Sequence, residues 1–258
     1  MARFLELLVV GLVGLALGLA LADAAKLPAY FRPKCSRRSS DEVLSACVQK
    51  VANQGVSSLA NGDKKLGIPS MRPLVVPRMA LSQGTSTVGL NITWEPAEIW
   101  GLGESRLYNY KTNYANKSTH FDVLIPSFTL SGTYRSSGRV LLLPIHGNGP
   151  SNVTVTNLRV HYYYEWPTKK NADGKEYFYI PKSDINIIGA DAMYINFDNL
   201  FNGDQTLGNS MNLFLNENWR ELLKELGPGM AEAVGGVVLL VVKRLSELVP
   251  ADDFWADR

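Results

Sequence analysis

The chain has little with which to build a catalytic or metal centre. Its only histidines are His120, His146 and His161, and none stands at a metal-ligand spacing such as H-E-x-x-H. There is no G-x-S-x-G elbow to present a nucleophile and no phosphate-binding P-loop. Gly147-Asn148-Gly149 precedes a strand-like run rather than a helix, so a nucleotide site lacks its structural context. Asp122, Asp184 and Asp191 carry acid–base chemistry in principle, but nothing in the sequence pairs them. Solvated carboxylates are the plainer reading, so neither an enzyme nor a cofactor is expected. An excess of one charge is missing too, with 26 basic residues against 24 acidic ones. That balance points to neither nucleic acid nor an anionic membrane as partner. No linker rich in serine, glycine and proline divides the chain, and no internal repeat is evident.

The first feature present is a leader. Arg3 supplies a positive end, Leu7 to Leu21 an apolar run, and Ala22-Asp23-Ala24 an A-x-A cleavage site. Residues 1–24 are therefore predicted to be a secretory signal peptide, followed by one domain over 25–258. No basic stop-transfer cluster follows directly, so a secreted, extracellular product is expected rather than stable membrane insertion. Removing the leader takes one base (Arg3) and two acids (Glu6, Asp23), leaving 25 bases against 22 acids, or +3.

Cys35 and Cys47 are an even pair in a secreted context. A zinc site would need further ligands, and no histidine lies nearby. A disulfide would close a loop of about a dozen residues, worth about 3 kcal/mol in the chain-entropy account. Ser39, Ser40, Asp41 and Glu42 read as a helix start. Leu44, Cys47, Val48, Val51 and Leu59 continue as a helical stripe that ends near Asn61-Gly62.

The middle of the chain, from about Leu74 to Phe201, alternates as β-strands do. Phe121, Val123 and Ile125 share one face, then Phe128, Leu130 and Tyr134. Val153, Val155, Leu158, Val160, Tyr162 and Tyr164 follow, with one break in phase near Asn157. Ser136-Ser137-Gly138, Gly147-Asn148-Gly149-Pro150 and Asn171-Ala172-Asp173-Gly174 read as turns, the last the clearest hairpin signal. Short connections imply antiparallel neighbours. Three N-x-[ST] sequons, at Asn91, Asn116 and Asn152, are candidate glycosylation sites, provided that each faces outward.

The C-terminal stretch from about Asn209 to Val249 repeats apolar residues every three or four positions, from Leu215 and Trp219 to Leu245 and Leu248. This pattern predicts one long helix, bent at Gly227-Pro228-Gly229 and roughly 60 Å in length. Trp219 is expected to pack under the sheet at its start. From Ala231 to Val242 only Glu232 is charged, so that part is predicted to be surrounded by protein. Gly235 and Gly236 would let a backbone or a ligand approach. The fold class expected is α+β, an elongated wrap of a strongly curved antiparallel sheet around the helix.

Several segments, in order, resemble the insect takeout and juvenile-hormone-binding protein family. They are the pair Cys35/Cys47, LGIPSMRPLVV from Leu66 to Val76, FDVLIPSFTLSGTY from Phe121 to Tyr134, and LFNGDQTLGNSMNLFLNENW from Leu200 to Trp219. The single cysteine pair is more like the takeout branch. Arg72 departs from an aspartate that many members carry before Pro-Leu, which puts a local salt bridge in doubt. The resemblance implies an apolar tunnel between helix and sheet that carries juvenile hormone, a related terpenoid or a fatty-acid-like molecule. It also implies association with feeding and daily rhythm for takeout-like members. Trp94, Phe128, Tyr134, Val234, Val237 and Val241 are the expected ligand-binding walls. The competing expectation is a secreted signalling or interaction module whose core is filled by its own side chains.

Overall fold

The computed structural model describes residues 26–84, 88–140 and 143–257. The predicted signal peptide lies outside the described residues, as does the side chain of Val234. The first helix, α1, spans Asp41–Leu59. Ser40 caps it by accepting the Val43 amide, and Asp41 and Glu42 place negative charge at its N-terminus. Gly62, at φ 80°, turns the chain away just past its end.

Ten strands follow among the described residues: β1 Leu74–Val76, β2 Met79–Gly84, β3 Val88–Trp100, β4 Arg106–Asn113, β5 Ser118–Val140, β6 Leu143–Glu165, β7 Thr168–Lys170, β8 Glu176–Phe178, β9 Ser183–Gly189 and β10 Ala192–Phe197. Eight of them form one antiparallel sheet ordered β1-β3-β5-β6-β10, with β2 on β3, β4 on β5 and β9 on β6. The sheet is not closed into a barrel. β7 and β8 pair separately across the Asn171–Lys175 turn, as Asp173-Gly174 predicts.

The 23-residue strands β5 and β6 are the frame. Drawn straight, each would extend about 75 Å. Their buried positions change parity at one level. Phe121, Val123 and Ile125 give way to Phe128 and Leu130 on β5, and Val153 and Val155 give way to Leu158 and Val160 on β6. Asn157, with φ 48°, sits at the change of phase. One end of the frame carries β2, β3 and β10, and the other carries β4 and β9.

The turns expected at 136–138 and 147–150 are instead interior to β5 and β6. Gly138, at φ 137°, shows why a glycine there need not mean a turn. A Cβ at this position would collide with the carbonyl oxygen of Gly89 on the neighbouring strand.

Among the described residues two helices, not one, follow the sheet: α2 Gln205–Glu217 and α3 Trp219–Leu248. The break falls at Asn218, whose backbone and side-chain amides both donate to the Phe214 carbonyl, at 3.1 and 2.8 Å. That local bond competes with helix continuation. Gly227-Pro228-Gly229, where the bend was expected, lies within α3. Pro228 and Lys224 are both exposed, so the Lys224 carbonyl that loses its donor is within reach of water. At 1.5 Å per residue α3 is about 45 Å long. Trp219 packs against the core, half-buried, with the Arg220 guanidinium 4.5 Å above its ring.

α3 touches β2 at one edge of the sheet and β9 and β10 at the other, so the sheet has to curve around it. The helix is only partly covered: the stretch from Ala231 to Val242, expected to be surrounded by protein, has Ala231 and Gly235 buried, Glu232 and Gly236 exposed and residues 237–242 half-buried, because the sheet curves along one side of it. α2 seals the free edge of β10. Asn216 accepts from the Ile195 amide at 2.9 Å and donates to the Ile195 carbonyl at 2.7 Å. Asn212 does the same with Phe197, at 3.0 and 2.9 Å.

The Cys35–Cys47 disulfide is formed and ties the N-terminal segment to α1. Beside it the C-terminal segment docks, Ala256 donating to the Cys35 carbonyl at 2.9 Å and the Arg37 amide to Asp257 at 2.7 Å. Replacing both cysteines by serine is expected to lower unfolding stability by about 3 kcal/mol. A urea midpoint unchanged from wild type would show that the C-terminal segment holds this end by itself. Arg72 does have a salt bridge of its own, to Glu104 at 2.8 Å.

Candidate functional site

Among the described residues, three cavities lie in a row along α3. Cavity 1, about 70 Å³, is set between the N-terminal half of α3 and the β2–β3–β5–β6–β10 end of the sheet. Leu222, Leu226 and Met230 face it from the helix, and Leu90, Ile92, Trp94 and Met193 from the strands. Cavity 3, about 200 Å³, lies between Gly235, Gly236 and Leu239 and the strands β6 and β9. Cavity 2, about 220 Å³, is built at the disulfide end from α1, the C-terminal segment, Tyr110, Trp166 and Leu245. Tyr164 and Val242 border both cavities 2 and 3. From Leu222 to Ser246 the row follows roughly 36 Å of helix.

The walls are mostly apolar; the charged residues among them are Lys34, half-buried in the wall of cavity 2, and Asp184 and Glu232, both exposed where they border cavity 3. In cavity 2, Thr119 accepts the Trp166 indole N–H at 2.9 Å and shares a hydrogen bond with Thr112 at 3.1 Å. Burial pushes the Tyr110 and Tyr164 phenols upward from their ordinary value, so both stay protonated. Burial likewise raises Tyr134 to about 12, with the nearby Asp198 charge adding to it.

The expected wall residues divide. Trp94 borders cavity 1 and is buried, its Nε1–H donating to Ser151 Oγ at 2.9 Å. Phe128 and Tyr134 are buried in the core and border none of the three cavities. The Tyr134 hydroxyl donates to the Asp198 carbonyl at 2.8 Å. Val237 and Val241 are half-buried against the core, while Val238 and Val242, one position on, face the cavities. Sequence reading missed Met193, Met230, Tyr164 and Trp166. Tyr164 was visible as the end of an alternating run, but nothing marked which face held empty space.

The acidic candidates do not meet. Asp122 lies 2.7 Å from His161 Nδ1 and accepts from Asn109 at 2.8 Å. Partial burial raises its pKa, but these hydrogen bonds outweigh that and hold it below the usual range. The sequence could not reveal the His161–Asp122 pair, whose members are 39 residues apart. Asp191 pairs with Arg159 and Asn157, and Asp184 accepts from Asn186. Among the described residues no group of three or more His, Cys, Asp or Glu could hold a metal ion. Asn91, Asn116 and Asn152 all lie exposed, as glycan attachment requires.

The sequence profile of the haemolymph juvenile hormone binding protein (JHBP) family matches residues 8–256. The chain belongs to this family. It is 22% identical over 219 residues to the circadian clock-controlled protein daywake of Drosophila melanogaster, covering 81% of this chain and 83% of that protein. The Drosophila yakuba daywake is 20% identical over the same length and shares. The crystal structure of Epiphyas postvittana Takeout 1 superposes with a TM-score of 0.75 at 26% identity, covering 84% of this chain and 96% of that one. The fold is takeout-like, a large antiparallel sheet with a C-terminal helix. The JHBP family is one of binding proteins rather than enzymes.

Proposed function

We propose that this protein is a secreted carrier that holds one lipophilic molecule lengthwise between α3 and the sheet. The ligand class is juvenile hormone, a related terpenoid or a fatty-acid-like chain. The supporting observation is the row of apolar cavities along one helix in a JHBP-family fold. Trp94, Met230, Tyr164, Val238 and Val242 are the proposed contacts. Each cavity is smaller than the roughly 300–1,000 Å³ of ordinary ligand sites. A long ligand therefore joins neighbouring cavities, displacing Tyr164 and Val242 where cavities 2 and 3 share a wall. Burying about 300–400 Å² of apolar ligand surface contributes about 8–10 kcal/mol at 25 cal/mol per Å². Lost translational and rotational freedom offsets part of this, leaving micromolar to nanomolar affinity. Secretion rests on the predicted leader and on the haemolymph setting of the family, and the three exposed sequons are proposed to carry glycans.

Native mass spectrometry of protein recovered from the medium of expressing insect cells tests the reading. The expected result is a discrete excess mass that organic extraction removes. Protein of bare polypeptide-plus-glycan mass that also takes up no terpenoid or fatty acyl chain would instead favour the signalling or interaction module.

A further inference from the structure

Ser136 is a buried polar side chain with nothing to bind. The residue is 6% exposed, and among the described residues its Oγ has no hydrogen-bond partner. Unpaired buried hydroxyls are uncommon in folded proteins because each keeps the full cost of leaving water. The strand fixes where this one lies. Ser136 stands two residues beyond buried Tyr134 on β5, opposite Ile92 on β3 and Gly147 on β6. It borders cavity 1, where its neighbours include Leu90, Val140 and Ile145. The other hydrogen-bonding side chain in that wall, Trp94, already spends its N–H on Ser151. A buried water is held by two to four polar partners, and the side chains of this wall offer it one.

We infer that Ser136 is a ligand-contacting specificity residue, its hydroxyl bonding the neutral oxygen of an ester, ketone, ether or alcohol at the ligand end seated in cavity 1. An ionised carboxylate does not suit the same place. The wall of cavity 1 contains no basic side chain, and an unpaired buried charge costs far more than one hydroxyl returns. The inference rests on the carrier reading and narrows it, from lipophilic chains in general to those with a neutral oxygenated terminus.

The test compares wild type, Ser136→Ala and Ser136→Thr by competition against a fluorescent apolar probe, N-phenyl-1-naphthylamine. The competitors are a C16 methyl ester, the C16 alcohol, the C16 free acid and an alkane of matched length. In wild type the ester and the alcohol should bind more tightly than the acid. Ser136→Ala should lower ester and alcohol affinity by about five-fold relative to the alkane, the net worth of one hydrogen bond. Ser136→Thr, which keeps the hydroxyl, should restore the preference. The ligand-free alanine variant should melt at or above the wild-type temperature, since it loses only an unpaired group. An ester-to-alkane ratio unchanged in Ser136→Ala overturns the inference, as does a ligand-free variant that melts several degrees lower. Wild-type protein that binds neither the probe nor any competitor overturns the carrier reading itself, and this inference with it.

Discussion

Replacing Asn212 and Asn216 together by alanine is expected to lower unfolding stability by roughly 3 kcal/mol, with either single change costing about half. The two amides stand four residues apart on α2, so they share one helix face. Each satisfies both the N–H and the C=O of one β10 residue, Ile195 or Phe197, as a further strand would. Alanine removes the partner and leaves the half-buried backbone groups behind, where leaving them unpaired costs more than the bond itself contributed. Amide exchange should report the change locally, the Ile195 and Phe197 amides losing protection before those of β5 and β6. Asn216→Asp should resemble the alanine change, because a carboxylate cannot donate to the Ile195 carbonyl. A double alanine variant within about 0.5 kcal/mol of wild type would mean that water satisfies this edge unaided.

These asparagines also mark the boundary of what the sequence disclosed. Alternation identified the strands of the frame because burial on one face leaves a period of two, and the phase break at Asn157 lies where both long strands change faces. The turn signals at Ser136-Ser137-Gly138 and Gly147-Asn148-Gly149-Pro150 misled because glycine serves close approach between strands as readily as it serves a turn. The helical stripe was correct in period but blind to its break, since Asn218 interrupts the helix through a side-chain bond that leaves no trace in the apolar register. Trp94, expected among the walls, does border cavity 1. Val237 and Val241 were placed one residue away from the cavity-facing Val238 and Val242, because the apolar stripe is wide there and several phases fit it equally. Empty space is a property of how surfaces fail to meet, and a single chain of letters does not record it.

The adjacent glycines of α3 are expected to answer substitution in opposite ways. A Cβ on Gly235 would lie 2.5 Å from Cδ1 and 2.9 Å from Cγ2 of Ile185 on β9. The Ile185 Cβ, which no side-chain rotation moves, would itself lie at 3.3 Å, so the strand must give as well. Gly235→Ala is therefore expected to destabilise by about 1–2 kcal/mol, the overpacking cost exceeding a helix-propensity gain of about 1 kcal/mol. Gly236 has nothing within 4 Å of the same position and borders cavity 3. Gly236→Leu thus keeps the propensity gain without a clash, and its melting temperature should equal or exceed that of wild type. Its side chain can occupy the space proposed for the middle of the ligand. Long terpenoids and acyl chains would then meet an overpacked site, a cost of about 1–3 kcal/mol, or about 5- to 150-fold in affinity. Chains short enough to sit in cavity 1 alone should bind as before, so a chain-length series separates blockage from general damage. A Gly236→Leu variant that binds the whole series as wild type does would place the ligand away from cavity 3. Loss of short and long chains alike, with the melting temperature lowered, would show that Gly236 serves packing rather than passage.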